Sequence, residues 1–199
     1  MIRVILWDID GTLLDFAAAE REAIRGCFAK FGLGECSDEM LARYSVINRQ
    51  HWEKLERKEL TLSVGQTASI GAELTPEPTL ERHTQVLVGR FEMFFAQEGI
   101  QTDCAAFNAE YQVRLGDTVC FHDDSYALVQ QMKGGVRQCA VTNGTKIAQQ
   151  RKLRNSKLDT LLDDVFISED IGVEKPDVRF FHHVQRSIGD YAPHEVLIV

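Results

Sequence analysis

The first twelve residues constrain the fold of this chain more than any other segment. A mostly apolar run over residues 2–7 ends in two carboxylates one residue apart, Asp8 and Asp10, followed by Gly11 and Thr12. Such a run is typical of a strand that is buried on both faces of a parallel sheet. Because side chains two positions apart on a strand point the same way, Asp8 and Asp10 are predicted to converge at its carboxyl end.

The position of these carboxylates indicates a ligand site. Open α/β sheets bind their ligands at the carboxyl ends of the strands. Gly11 permits a sharp exit from the strand, and Thr12 adds a hydroxyl. Two carboxylates placed there suit a divalent cation and a nucleophile with a partner acid. A strand that simply ends in a polar Asp-Gly turn is the alternative interpretation of the same residues.

Strands and helices alternate in the last third of the chain. Predicted strands cover residues 136–141, 165–167 and 196–199, and predicted helices cover 124–133, 146–157 and 177–188. This alternation indicates βαβ units, and the first strand belongs to the same sheet. The fold class is therefore α/β, with a parallel sheet.

The block between the first strand and this region shows helical spacing only. Helices are predicted over residues 16–31, 37–60, 80–97 and 104–115. Residues 61–84 are broken by two glycines and two prolines and are predicted to be irregular. We therefore predict a discontinuous core made of residues 1–15 and 118–199, with an inserted helical cap over residues 16–117 that contains the irregular insertion 61–84.

Composition excludes several classes of protein. The formal net charge of −8 argues against a nucleic-acid-binding surface, which needs a basic face. No segment approaches the roughly 18 unbroken apolar residues of a membrane span, and the first residues lack the pattern of a signal peptide. Five cysteines without a Cys-x-x-Cys motif predict reduced thiols. The expected location is the cytoplasm, with no nucleic-acid or membrane partner.

Two further motifs follow in order. Val141-Thr142-Asn143-Gly144 ends a predicted strand, and Glu174-Lys175-Pro176-Asp177 precedes a predicted helix. Alone, Thr142 and Asn143 would suit an ordinary N-capping turn equally well. Together with Asp8-x-Asp10-Gly-Thr, the series resembles the haloacid dehalogenase superfamily of phosphohydrolases, and the resemblance implies a Rossmann-like core with a helical cap.

The resemblance also implies roles for individual residues. Asp8 would become transiently phosphorylated, and Asp10 would be the general acid and base. Thr142 and Asn143 would bind the transferred phosphoryl group, and Lys175 would offset its charge. Magnesium would be held by Asp8 and Asp10, with the backbone carbonyl of Asp10 as one ligand. Because the net charge is −8, attraction for an anionic substrate has to be local.

Residues 167–177 and 141–144 are similar to a subgroup of bacterial nucleotidases that hydrolyse pyrimidine nucleoside monophosphates. The predicted function is thus a magnesium-dependent phosphatase for a small phosphorylated metabolite, a nucleoside 5'-monophosphate. A phosphoglycolate or sugar-phosphate phosphatase is the first alternative. A phosphomutase is less favoured, and a dehalogenase is disfavoured because Asp10 supplies an acid that such enzymes do not need.

The fourth motif of the superfamily is a Gly-Asp pair after a strand, whose acids hold magnesium. Residues 195–199 resemble that strand, and no Gly-Asp pair follows in the sequence. We therefore expect the chain to stop just before this motif, without the C-terminal part of the core. On this expectation the 199-residue chain binds Mg²⁺ weakly and has little turnover. The alternative from a different functional class is a truncated, non-catalytic remnant that lacks the fourth motif.

Overall fold

A computed structural model describes the backbone of residues 1–65 and 79–199 and the side chains of residues 1–51 and 87–199. Its strands are β1 (Val4–Trp7), β2 (Arg137–Thr142), β3 (Asp164–Ile167) and β4 (Val196–Ile198). Within the described residues they form one four-stranded parallel sheet, in the order β3-β2-β1-β4. The predicted α/β fold with a Rossmann-like sheet is confirmed.

The helices of the described chain follow the predicted spacing closely. They are α1 (Phe16–Phe31), α2 (Asp38–Gly65), α3 (Thr79–Glu98), α4 (Cys104–Asp117), α5 (Ser125–Met132), α6 (Lys146–Ser156), α7 (Ser168–Ile171) and α8 (Val178–Ile188). The four-residue helix α7 was not predicted, because one helical turn is too short to show a hydrophobic period.

Both faces of β1 are covered, as its apolar run predicts. Val4 and Leu6 pack into one buried cluster with side chains of α8. Ile5 and Trp7 pack into a second cluster with Val129 of α5 and with side chains of α6. Successive residues of the strand thus enter opposite cores, which leaves the carboxyl end of β1 as the place for its polar residues.

The prediction of an irregular segment over residues 61–84 is wrong at both ends. Helix α2 continues to Gly65, and helix α3 begins at Thr79. Extending an existing helix adds one hydrogen bond for each residue fixed, without a new nucleation step, so residues of modest propensity such as 61–64 are carried along. Residues 66–78, which contain both prolines of the segment, lie outside the described residues.

The chain divides into two compact units. One contains residues 1–27 and 110–199, and the other contains residues 28–109. The second unit has an aromatic core, in which the ring centroid of Phe107 lies 4.9 Å from that of Phe91 and 4.8 Å from that of Phe95. The cap predicted over residues 16–117 contains this unit in full; its predicted boundaries stay a prediction.

A search of the described helices for a membrane span finds none of sufficient length and apolarity. None of the five cysteines, all of which lie in the described part of the chain, forms a disulfide.

The buried thiol of Cys139 provides a test of how well β2 is shielded from solvent. Desolvation, aided by the Asp164 carboxylate 3.6 Å from its Sγ, raises the pKa of the Cys139 thiol from 9.0 to about 12. Since the folded pKa lies above the ordinary one, the stabilisation from the neutral thiol is complete below about pH 9 and is lost as the pH rises toward 12. We expect iodoacetamide in mildly alkaline buffer to alkylate half-buried Cys120 well before Cys139, as followed by peptide mass spectrometry. Equal labelling rates in the folded protein would contradict the burial of β2.

Candidate active site

The Asp8 carboxylate lies immediately beyond β1 and is held by a lysine from a distant loop. Lys175 Nζ donates a hydrogen bond to Asp8 Oδ1 at 2.5 Å and another to the Val141 carbonyl oxygen at 2.7 Å. The Lys175 side chain is only 17% exposed, whereas that of Asp8 is 31% exposed. The Lys175 ammonium is therefore anchored to the backbone of β2, and the Asp8 carboxylate remains accessible to a ligand.

The second oxygen of Asp8 is also occupied. Thr12 Oγ1 donates to Asp8 Oδ2 at 3.1 Å. Gly11, with φ of +88°, makes the turn that brings Thr12 back toward the strand end. With one donor on each oxygen, the carboxylate plane of Asp8 is fixed, and acceptor positions remain, since an ionised carboxylate has about four lone-pair sites.

Asn143 joins the loop after β2 to the loop that carries Lys175. Its Nδ2 donates to the Lys175 carbonyl oxygen at 2.9 Å, and the Lys175 backbone N–H donates to Asn143 Oδ1 at 2.8 Å. This reciprocal pair fixes the main chain of Lys175 from both sides. The sequence predicted Asn143 and Lys175 at one site, and the structure brings them together.

Asp10 is held by a different element, helix α6. Lys152 Nζ forms an ion pair with Asp10 Oδ1, and Gln149 Nε2 donates to Asp10 Oδ2 at 2.7 Å. The Asp10 side chain is 18% exposed, and that of Lys152 is 1% exposed. The two aspartates of the first motif therefore have separate cationic partners.

The Thr142 side chain forms its hydrogen bond with the backbone and not with the Asp8 or Asp10 carboxylate. It is fully buried at the end of β2, and its hydroxyl donates to the Asn143 carbonyl oxygen at 3.3 Å. The next turn is fixed by the Gly144 N–H, which donates to Ser168 Oγ at 3.0 Å. The structure thus places Thr142 and Asn143 at the carboxyl end of β2, next to the end of β1.

Gln149 and Lys152 were not predicted from the sequence as site residues. Polar and charged residues on a helix usually face solvent, so nothing in their residue types distinguished them. The available signal was their spacing: Thr145, Gln149 and Lys152 lie at i, i+4 and i+7 and so share one helix face. Thr145 caps α6 by accepting from the Ala148 N–H, which starts the helix directly after the Thr-Asn-Gly motif.

The carboxylate oxygens at the end of β1 are possible ligands of a divalent cation. Side-chain oxygens of Asp8 and Asp10 are hard ligands of the kind that Mg²⁺ prefers. Over the described residues, no group of three or more His, Cys, Asp or Glu side chains gathers in a metal-binding arrangement. The two carboxylates therefore fit magnesium in kind and would supply part of its ligation.

The sequence profile of the haloacid dehalogenase-like hydrolases matches residues 2–199. The chain belongs to this family. The assignment agrees with the order of the motifs and with the parallel sheet that brings Asp8, Asn143 and Lys175 to one end.

Curated relatives of this hydrolase carry several names. It is 28% identical to YfnB of Bacillus subtilis, named as a hydrolase of the same family, over 99% of this chain and 74% of the relative. It is 27% identical to the pyrimidine 5'-nucleotidase PynA of Streptococcus pneumoniae, over 99% of this chain and 74% of PynA. A glyceraldehyde 3-phosphate phosphatase of Methanopyrus kandleri is 27% identical, over 100% of this chain and 75% of that protein.

Solved structures agree on the fold. Magnesium-bound YfnB superposes with a TM-score of 0.81 at 27% identity, covering 99% of this chain and 77% of YfnB. An L-2-haloacid dehalogenase of Xanthobacter autotrophicus gives a TM-score of 0.68 at 18% identity, covering 100% of this chain and 69% of the dehalogenase. Because the identity to the dehalogenase is only 18%, this comparison supports the fold and not the function.

Proposed function

We propose that this hydrolase is a phosphatase of small phosphate monoesters that works through an aspartyl-phosphate on Asp8, and that its substrate is a nucleoside 5'-monophosphate. The observation that carries the proposal is the position of the Asp8 carboxylate, which is partly exposed and is fixed by hydrogen bonds from Lys175 and Thr12. A carboxylate held at the carboxyl end of a parallel strand, next to a partly buried ammonium group, is placed to act as a nucleophile toward an anionic phosphoryl group.

The chemistry divides into two steps. An Asp8 oxygen attacks phosphorus, the bond from phosphorus to the ester oxygen breaks, and Asp10 gives a proton to the leaving oxygen. In the second step Asp10 takes a proton from water, which attacks the phosphorus and releases phosphate and Asp8. Lys175 and the Asn143 amide support the charge of the phosphoryl group, and Thr142 completes the phosphate-binding loop. Magnesium, when bound by Asp8 and Asp10, would lower the repulsion between the carboxylate and the phosphate oxygens.

Two relatives support the nucleotide assignment. PynA is named a pyrimidine 5'-nucleotidase, and so is YjjG of Escherichia coli, which is 25% identical over 58% of this chain. A second candidate, a phosphatase of short sugar phosphates, is supported by the two archaeal relatives named glyceraldehyde 3-phosphate phosphatase. Both candidates share the reaction at Asp8 and differ in the alcohol that leaves.

A substrate panel tests the proposal. Purified protein is given UMP, dUMP, TMP, AMP, glyceraldehyde 3-phosphate, 2-phosphoglycolate and 2-chloropropionate, and released phosphate or chloride is measured. The assay uses millimolar Mg²⁺, with a parallel series in chelator. We expect phosphate release that depends on Mg²⁺ and is fastest with the pyrimidine nucleotides.

Each other outcome has a defined meaning. Preference for glyceraldehyde 3-phosphate or 2-phosphoglycolate would favour the second candidate. Release of chloride from 2-chloropropionate without release of phosphate from any ester would indicate a dehalogenase and contradict the phosphatase assignment. No product from any compound at high enzyme concentration would indicate a non-catalytic protein.

A further inference from the structure

We propose that Gln149 and Lys152 form a positioning pair that fixes the orientation of the Asp10 carboxylate for proton transfer. The inference rests on the proposed function, in which Asp10 moves the proton in both steps. Neither residue belongs to the motifs recognised in the sequence, and the side-chain hydrogen bonds that the structure describes for them go to Asp10 and Asn143.

The Lys152 side chain is almost fully buried, with 1% of its surface exposed. A buried ammonium group is costly unless a charge partner and hydrogen-bond acceptors compensate the lost hydration. Asp10 Oδ1 is the hydrogen-bond acceptor that the structure gives to Lys152 Nζ, and the Phe16 ring centroid lies 5.6 Å away. A buried lysine that points at one carboxylate oxygen indicates a role at that carboxylate, since a lysine needed only for solubility would face solvent.

Gln149 is oriented by the same carboxylate. Its Nε2 donates to Asp10 Oδ2 at 2.7 Å and to the Asn143 carbonyl oxygen at 3.2 Å. Its Oε1 is buried and has no hydrogen-bond partner among the described residues. Rotating the amide would place an oxygen against two acceptors, so the observed orientation serves Asp10 at the expense of an unsatisfied oxygen.

The loop after β2 is shaped to admit this amide. Gly144 has φ of +137°, and a Cβ at this position would lie 2.9 Å from Gln149 Nε2. A side chain here would have to displace the Gln149 amide. The motif glycine therefore keeps open the space through which Gln149 reaches Asp10.

Together these contacts place one donor on each oxygen of Asp10. With both oxygens held, rotation of the carboxylate about its last torsion is blocked, and the remaining lone pairs keep one direction. Proton transfer requires this, because a general acid or base has to lie within hydrogen-bond reach of the reacting oxygen. The pair acts on catalysis through Asp10 and does not touch the substrate.

The test compares Lys152→Met with Lys146→Met. Both substitutions lie on α6 and remove a lysine ammonium, but Lys146 is exposed and pairs with Asp170. Rates are measured with UMP, whose leaving alkoxide needs a proton, and with p-nitrophenyl phosphate, whose leaving phenolate hardly does. We expect Lys152→Met to lower kcat for UMP by about 100-fold or more at nearly constant KM. With p-nitrophenyl phosphate, the first step stays fast and gives a burst of nitrophenol before a slow steady state.

Two further variants separate positioning from folding. Gln149→Leu removes one donor without touching the buried charge, and we expect the same selective slowing of the first step with UMP, smaller in size. In the Asp10→Asn background, Lys152→Met should cause no additional loss of kcat, because its effect passes through the Asp10 carboxylate.

The outcomes are distinct. A nitrophenol burst slowed as much as the first step with UMP, activity of Lys152→Met equal to that of Lys146→Met, or a full additional loss in the Asp10→Asn background would each overturn the positioning role while leaving the phosphatase in place. A wild-type protein without turnover of any phosphate ester would overturn the proposed function, and this inference with it.

Discussion

Replacing Asp8 by asparagine is expected to lower kcat for phosphate release by at least about 1,000-fold, because the amide is a far poorer nucleophile than the carboxylate. The side chain keeps its size and one oxygen that can accept from Lys175, while the amide nitrogen in the place of Oδ2 no longer accepts from Thr12. Turnover of the preferred nucleotide and of p-nitrophenyl phosphate gives the rate. Acid quenching of the wild-type reaction with labelled substrate should trap a phosphorylated protein, and the variant should trap none.

Asp190→Asn is the matched control for this substitution, since Asp190 is exposed beyond the end of α8 and should leave kcat unchanged. Circular dichroism of both variants checks that the fold is kept. Turnover by Asp8→Asn at the rate of the control would rule out Asp8 as the nucleophile.

Replacing Lys175 by methionine is expected to lower kcat/KM by about 100- to 1,000-fold, the range found when one fixed electrostatic donor is removed from a catalytic site. The ammonium both faces the Asp8 carboxylate and is anchored to the Val141 carbonyl oxygen. Without it, the negative charges of the carboxylate and of the arriving phosphoryl group are no longer offset. Both chemistry and phosphate binding should suffer, so kcat falls and KM rises.

Lys146→Met again serves as control, because it also removes a lysine ammonium, one that is exposed and pairs with Asp170. Product inhibition by inorganic phosphate gives a second readout and should weaken in Lys175→Met alone. An unchanged inhibition constant, together with wild-type kcat/KM, would show that Lys175 is a structural lysine.

The sequence predicted the sheet well because its strands carry strong local signals. The apolar run of β1 and the short apolar segments of β2, β3 and β4 each lie between turn residues, and all four strands are found where expected. The first long helix was also predicted accurately, since Asp15 Oδ1 accepts from the Ala18 N–H at its N-terminus and Gly32 follows its end with φ of +65°.

The site was predicted only where a motif marked it. Asp8, Asn143 and Lys175 follow strands in sequence, and parallel strands bring their carboxyl ends together, so their proximity could be inferred. Gln149 and Lys152 could not be found this way. Their contact with Asp10 depends on how α6 is rotated against the sheet, and that rotation is set by tertiary packing.

The separate partners of the two aspartates have a consequence for how an anion can approach this acidic protein. Lys175 faces Asp8 and Lys152 faces Asp10, so the formal charges of the four groups cancel within the site, although the chain as a whole carries −8. When all four groups are ionised, a phosphate ester, the substrate class proposed above, would therefore leave the repulsive far field of the surface for strand ends where these four charges sum to zero. Raising the ionic strength screens that far field, while the short ion pairs inside are screened much less. Under the proposed function, entry of the substrate would thus depend on the surface charges, and its retention on the charges at the strand ends.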